Sequence, residues 1–134
     1  MPAPTAFEYA ILRVVPRVER GEFINAGVVL FSRPRRYLAA QVELDEKRLA
    51  ALTPDLDPEP IRCHLDALPA IAAGAADAGP IARLPQSERF GWLVAPVSTV
   101  VQASPVHTGL GDDPAVALEA LMEAMVRVSR TKAS

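Results

Sequence analysis

An α+β fold, a mainly antiparallel sheet of about five strands with helices packed on one face, is what the sequence predicts. Three observations lead there. Three β-prone stretches follow one another through residues 7–43 with only short turns between them. The middle of the chain changes to helical spacing, and residues 118–126 carry a second helical stripe.

Phe7–Val15 is rich in β-branched and aromatic residues and is stopped by Pro16, which reads as a strand. A charged turn containing Gly21 leads into Ile24–Arg33. Two-residue alternation there predicts one apolar face of Ile24, Ala26, Val28 and Leu30, with Asn25, Gly27, Val29 and Phe31 on the other. Pro34 ends that strand, and Tyr37–Glu43 is the third. Short connections predict an antiparallel meander.

Asp45 is placed to cap a short helix reaching Leu52. A second helix begins near Asp57-Pro58 with Ile61, Leu65, Leu68 and Ala72 on one stripe, and Pro69 is expected to end or kink it. Ala70–Pro80, mostly Ala and Gly, reads as a loosely specified link. Phe90–Ala95 and Ser98–Ala103 read as strands separated by Pro96, and Ser104–Gly111 as a loop. Asp113-Pro114 opens the last helix, with Asp as N-cap and Pro in the first helical position. Leu118, Leu121, Met122, Met125 and Val126 form its buried stripe, with Glu123 and Arg127 an i,i+4 pair on the wet side.

The chain has 134 residues, half of them hydrophobic, enough for one domain with its own core and too apolar for general disorder. A formal net charge of −2 argues against non-specific binding to nucleic acid or anionic membrane. The lone Cys63 permits no internal disulfide and suits a reducing, cytoplasmic compartment. No secretory pattern opens the sequence, and runs such as Ala26–Phe31 are too short to span a bilayer. Abundant Ala, Arg and Pro suggest high-GC bacterial coding.

Two polar constellations interrupt these elements. In the first, Glu22, Asn25 and Gly27, an asparagine inside an apolar strand must find partners, and a glycine two positions on leaves room for a ligand or for another backbone. The bland alternative is a turn carboxylate, an Asn bonded to a nearby loop and a Gly at a bulge. In the second, alternation aligns Ser98, Gln102 and Ser104, followed by His107 beside Pro105 and Gly109. His107 could act as acid, base or phosphate ligand. No carboxylate is nominated to orient it, and Asp112 and Asp113 are better explained as helix caps.

Cys63-His64 are adjacent on a helix and diverge by about 100°, so no metal site is expected. His64 sits where a core histidine would. Arg33, Arg35 and Arg36 form a basic turn; residues 1–36 hold six Arg against three Glu, +3, leaving −5 for the remainder. That asymmetry allows an acidic or phosphate partner, including nucleic acid, although a simply solvated hairpin turn is the favoured explanation. No phosphate loop or dinucleotide fingerprint is present, and no cofactor is implied.

Three stretches carry a resemblance. Glu8–Pro16 reads Glu-Tyr-Ala-Ile-Leu-Arg-Val-Val-Pro. Arg20–Phe31 contains Gly-Glu-Phe-Ile-Asn-Ala-Gly-Val, and Gln102–Gly109 contains Ser-Pro-Val-His. Together they resemble the bacterial family known as domain of unknown function 3037, over almost the whole chain. The resemblance brings no activity with it. Family context implies a partner protein, a HipA-like kinase, and hence an accessory or regulatory role. The sequence expectation is therefore a binding or regulatory module built on the two constellations. A small hydrolase or phosphoryl-handling enzyme with His107 as general acid/base and Glu22 as its partner is the alternative. A homo-oligomer is also open, because Ile24–Phe31 at a sheet edge would invite strand pairing.

Overall fold

A computed structural model describes residues 4–97 and 99–127. Five strands form one sheet: β1 (Thr5–Val14), β2 (Ile24–Ser32), β3 (Tyr37–Val42), β4 (Val101–Ala103) and β5 (His107–Gly111). All their pairings are antiparallel. The order is β3-β2-β1, with β4 and β5 sharing the outer edge of β1. The first three strands are the expected meander. β4 pairs with Leu12–Val14 and β5 with Thr5–Tyr9, so β1 is flanked along nearly its full length.

β2 lies between β1 and β3, not at an edge, which closes the dimerisation route imagined for it. Its pairing slips by one residue: Leu12 faces Gly27, but Arg13 faces Asn25, leaving Ala26 without a partner. This bulge breaks the predicted alternation. Ile24 and Ala26 point to one core and Val29 and Phe31 join them, whereas Val28 and Leu30 point to the opposite core. An inserted residue shifts the two-residue phase, and nothing in a run of apolar side chains marks where.

The helices are α1 (Glu46–Leu52), α2 (Glu59–Ala73), α3 (Gln86–Val94) and α4 (Pro114–Leu121), the last continued by a wide π turn at Met122–Val126. Asp45 caps α1 by accepting from the Lys47 and Arg48 amides. Asp113 caps α4 by accepting from the Ala115 amide, with Pro114 in the first position. Ile61, Leu65, Leu68 and Ala72 are the buried stripe of α2. Pro69 does not stop that helix, which runs on to Ala73 and closes at Gly74 in the left-handed conformation, φ 73°.

Helices cover both faces of the sheet. α1, α2 and α3 bury Leu49, Leu65, Leu68, Phe90 and Leu93 against Ala10, Leu12, Val14 and Phe31. α4 and its π turn bury Leu118, Met122 and Val126 against Ile11, Val28 and Leu30. Of the predicted α4 stripe, Met125 is exposed instead. Arg127 holds Glu123 as expected, but also Glu119 and Glu43, tying the π turn to the end of β3.

Two segments differ in kind from the sequence expectation. Phe90–Ala95 is not a strand but the second half of α3 and its C-cap, with Phe90 and Leu93 buried one helical turn apart. His107–Gly111 is not a loop but β5. Its two glycines look like breakers in isolation. In the fold the Phe7 ring lies over Gly109, where a Cβ would come within 2.6 Å of it.

Candidate functional site

A strand buried on both faces has no cheap place for a charge, so Arg13, one residue before the end of β1, needs an account. Leu12 and Val14 turn toward α1–α3, which places Arg13 on the other face beside Ile11. Its cross-strand neighbours are Asn25 on β2 and Gln102 on β4. Directly opposed residues share a face with Cβ atoms about 5 Å apart. Asn25, Arg13 and Gln102 thus form a polar row across three strands.

The guanidinium of Arg13 lies over the Phe23 ring, 4.1 Å from its centroid. Phe23 is itself exposed, and the stacking holds the fork in place at the end of the sheet. The Arg13 Nε is enclosed with no hydrogen-bond partner among the described residues. Among those residues Arg13 also lacks an ion pair, whereas Arg20 has one, Arg62 two and Arg127 three. The two amides are anchored from behind. Asn25 Nδ2 donates to the Met125 carbonyl at 2.9 Å and Gln102 Nε2 to the Thr99 carbonyl at 2.7 Å. Each nitrogen keeps a second hydrogen and each amide oxygen remains an acceptor.

The remaining expected site residues are placed as follows. Glu22 is exposed and paired with Arg20, whose hydrogen bond and positive charge hold its carboxyl below the ordinary carboxylate range. Gly27 opens no ligand space: a Cβ there would stand 2.5 Å from the Gln41 carbonyl oxygen, so the main chain of β3 occupies that room. Ser104 is buried in the gap between β4 and β5. Its Oγ accepts from the Ile11 amide at 2.9 Å, and its own amide donates to the Ile11 carbonyl at 2.8 Å. It splices the two short strands onto one edge of β1. Ser98 lies outside the described residues.

His107 is exposed, facing Tyr9 across the β1–β5 ladder with ring centroids 5.4 Å apart. Glu22 precedes Ile24, which faces Val14. Val14 and Tyr9 are separated by five steps of strand, about 17 Å at 3.3 Å per residue. The geometry therefore does not assemble His107 and Glu22 into an acid/base pair. What it brings together from the two constellations is Asn25 and Gln102, through a residue the sequence reading passed over. Arg13 was detectable as the one charge inside Ile-Leu-Arg-Val-Val, but its partners lie 12 and 89 positions away.

On the opposite face, a cleft of about 250 Å³ opens between α2, α3 and β4, lined chiefly by Leu12, Leu68, Trp92, Leu93 and Val101. His64 is exposed at its mouth rather than in the core, and Gln102 borders it. Cys63 is also exposed. The basic turn is tied into the fold: Arg33 lies over Phe31, Arg35 Nε donates to Thr5 Oγ1, and the Arg36 carbonyl accepts from Gln86 Nε2. No described helix is long and apolar enough to cross a membrane.

Compared with known proteins, the chain matches a family model described as "Protein of unknown function (DUF3037)" over residues 9–126. No curated protein and no solved structure matches it.

Proposed function

We propose that the chain, which belongs to the DUF3037 family, is a non-enzymatic binding module whose Arg13 receives a carboxylate from a partner protein. The observation that carries this reading is Arg13 itself: a guanidinium stacked on Phe23, flanked by two anchored amides and without a carboxylate among the described residues. A planar fork of donors suits bidentate capture of a carboxylate, and stacking lowers the side-chain freedom lost when it binds. Asn25 and Gln102 would then meet polar groups on either side of the acidic residue, and Phe23 would supply apolar area at the rim. Family context makes a HipA-like kinase the partner to test first.

The experiment is co-purification of the tagged full chain with the HipA-like kinase of the same host, for wild type, Arg13→Gln and Arg13→Lys. Capture by wild type, weakened at least about tenfold by Arg13→Gln and only partly restored by Arg13→Lys, is the expected pattern. Circular dichroism melts of the variants separate loss of binding from loss of fold. Equal capture by all three proteins would rule Arg13 out, and no capture by wild type would remove this partner.

A further inference from the structure

Among the described residues no strand pairs with the outer edge of β5, and we propose that two chains associate there by antiparallel pairing of β5 with β5 about a two-fold axis at Gly109. In an antiparallel ladder, the amide and carbonyl of alternate residues face the same neighbour. Ile11 directs both groups at Ser104, and Val15 directs its amide at Val100, so the odd residues of β1 face the β4–β5 edge. Tyr9, Phe7 and Thr5 therefore exchange hydrogen bonds with His107, Gly109 and Gly111, their register partners. The Thr5 hydroxyl donating to the Gly111 carbonyl agrees with that phase. Thr108 and Leu110 consequently turn their amides and carbonyls outward, away from β1.

Natural sheet edges are usually blunted by charge, proline, a bulge or a covering element. Residues 107–111, His-Thr-Gly-Leu-Gly, contain no acidic residue, no lysine or arginine and no proline. Leu110 is 72% exposed, the most open large apolar side chain among the described residues. The other edge strand among the described residues, β3, has Leu38 and Ala40 buried in the core beneath α2.

Self-pairing satisfies this edge better than a foreign strand of arbitrary sequence would. A two-fold axis at Gly109 sets Thr108 opposite Leu110 of the other copy, twice. All four outward amide and carbonyl pairs then close into hydrogen bonds, and each Leu110 is covered by a threonine methyl. The axis pair itself is Gly109 with Gly109, and His107 meets a glycine, Gly111, so no side chains collide at the closest positions. The paired strand is short, so association on the order of micromolar or weaker is expected, below the size class of permanent dimers.

Sedimentation velocity of the full chain across a concentration series, with amide hydrogen exchange on the same samples, tests this. The expected result is a dimer that grows with concentration, with Thr108 and Leu110 amides gaining protection in parallel. Leu110→Pro removes only an outward donor and Leu110→Lys places a charge on the edge; both should shift the dissociation constant upward at least tenfold while leaving the melting curve in place. A chain that stays monomeric at all concentrations overturns the proposal. So does a dimer that ignores both variants, or one whose new protection falls on Leu38, Ala40 and Val42 of β3.

Discussion

Asn25 donates its side-chain amide to the main-chain carbonyl of Met125, 2.9 Å away and a hundred residues further along the chain. The bond fastens the start of β2 to the wide turn that ends the helical layer on that face. A π turn leaves its carbonyls poorly matched to helical donors, and Asn25 supplies one from outside. Replacing Asn25 with Ala is expected to cost about 1–2 kcal/mol. That would lower the melting temperature by roughly 4–8 °C. Asn25→Asp also has no donor for that carbonyl, but it sets a carboxylate opposite Arg13, so it should cost less than Asn25→Ala in low salt; calorimetry of the two variants decides.

Gly27 admits no side chain. With the Gln41 carbonyl oxygen 2.5 Å and the Val42 methyl 3.0 Å from an added Cβ, the main chain of β3 would have to move. Gly27→Ala should destabilise by roughly 3 kcal/mol through overpacking, read from urea midpoints. An unchanged midpoint would mean that the bulge relaxes freely.

Ser104 serves β1 by lending a hydroxyl where a backbone carbonyl would otherwise stand. Ser104→Ala strands the buried Ile11 amide, at a cost of about 1–3 kcal/mol. Exchange of the Ile11 amide should rise well before the rest of β1. Uniform exchange along β1 would show that the splice between β4 and β5 is not local.

Arg127 gathers Glu119, Glu43 and Glu123, and its hydrogen bond with Glu119 is the main reason that carboxyl titrates below its ordinary value of 4.5. A carboxyl whose folded pKa is depressed contributes stability above its unfolded value and loses it as pH falls through the folded one. Wild type should therefore melt above Glu119→Gln at neutral pH, with the gap closing as pH falls well below 4.5. Because the pair is exposed, about 1 M salt should close most of the gap as well. A gap independent of pH would assign the effect to packing rather than charge.

Much of this architecture could be read from local chemistry. Asp45 and Asp113-Pro114 announce helix starts because a cap is satisfied within three residues. The α2 stripe is equally plain, since burial at Ile61, Leu65, Leu68 and Ala72 follows helical period. What escaped depended on distant partners. Phe90-Gly-Trp-Leu-Val is β-prone by composition, yet packing of Phe90 on Phe31 and Leu93 on the sheet makes it helical. β5 exists because β1 offers an edge to pair with, which its own glycines do not reveal. The polar row was half visible: Asn25 and Gln102 stood out as interruptions, but only the register shows that Arg13 joins them.

The unpartnered Ala26 also divides β2 into two counting frames. Upstream of it even-numbered residues face α1–α3; downstream odd-numbered ones do. Losing Ala26 would merge the frames without turning either half over: Asn25 would still face Arg13, Gly27 would still face Leu12, and Val28 and Leu30 would stay on the α4 side. In relatives that keep this fold, a one-residue gap at this spot would therefore mark a strand without the bulge, whereas a gap within residues 28–31 would turn the rest of the strand over.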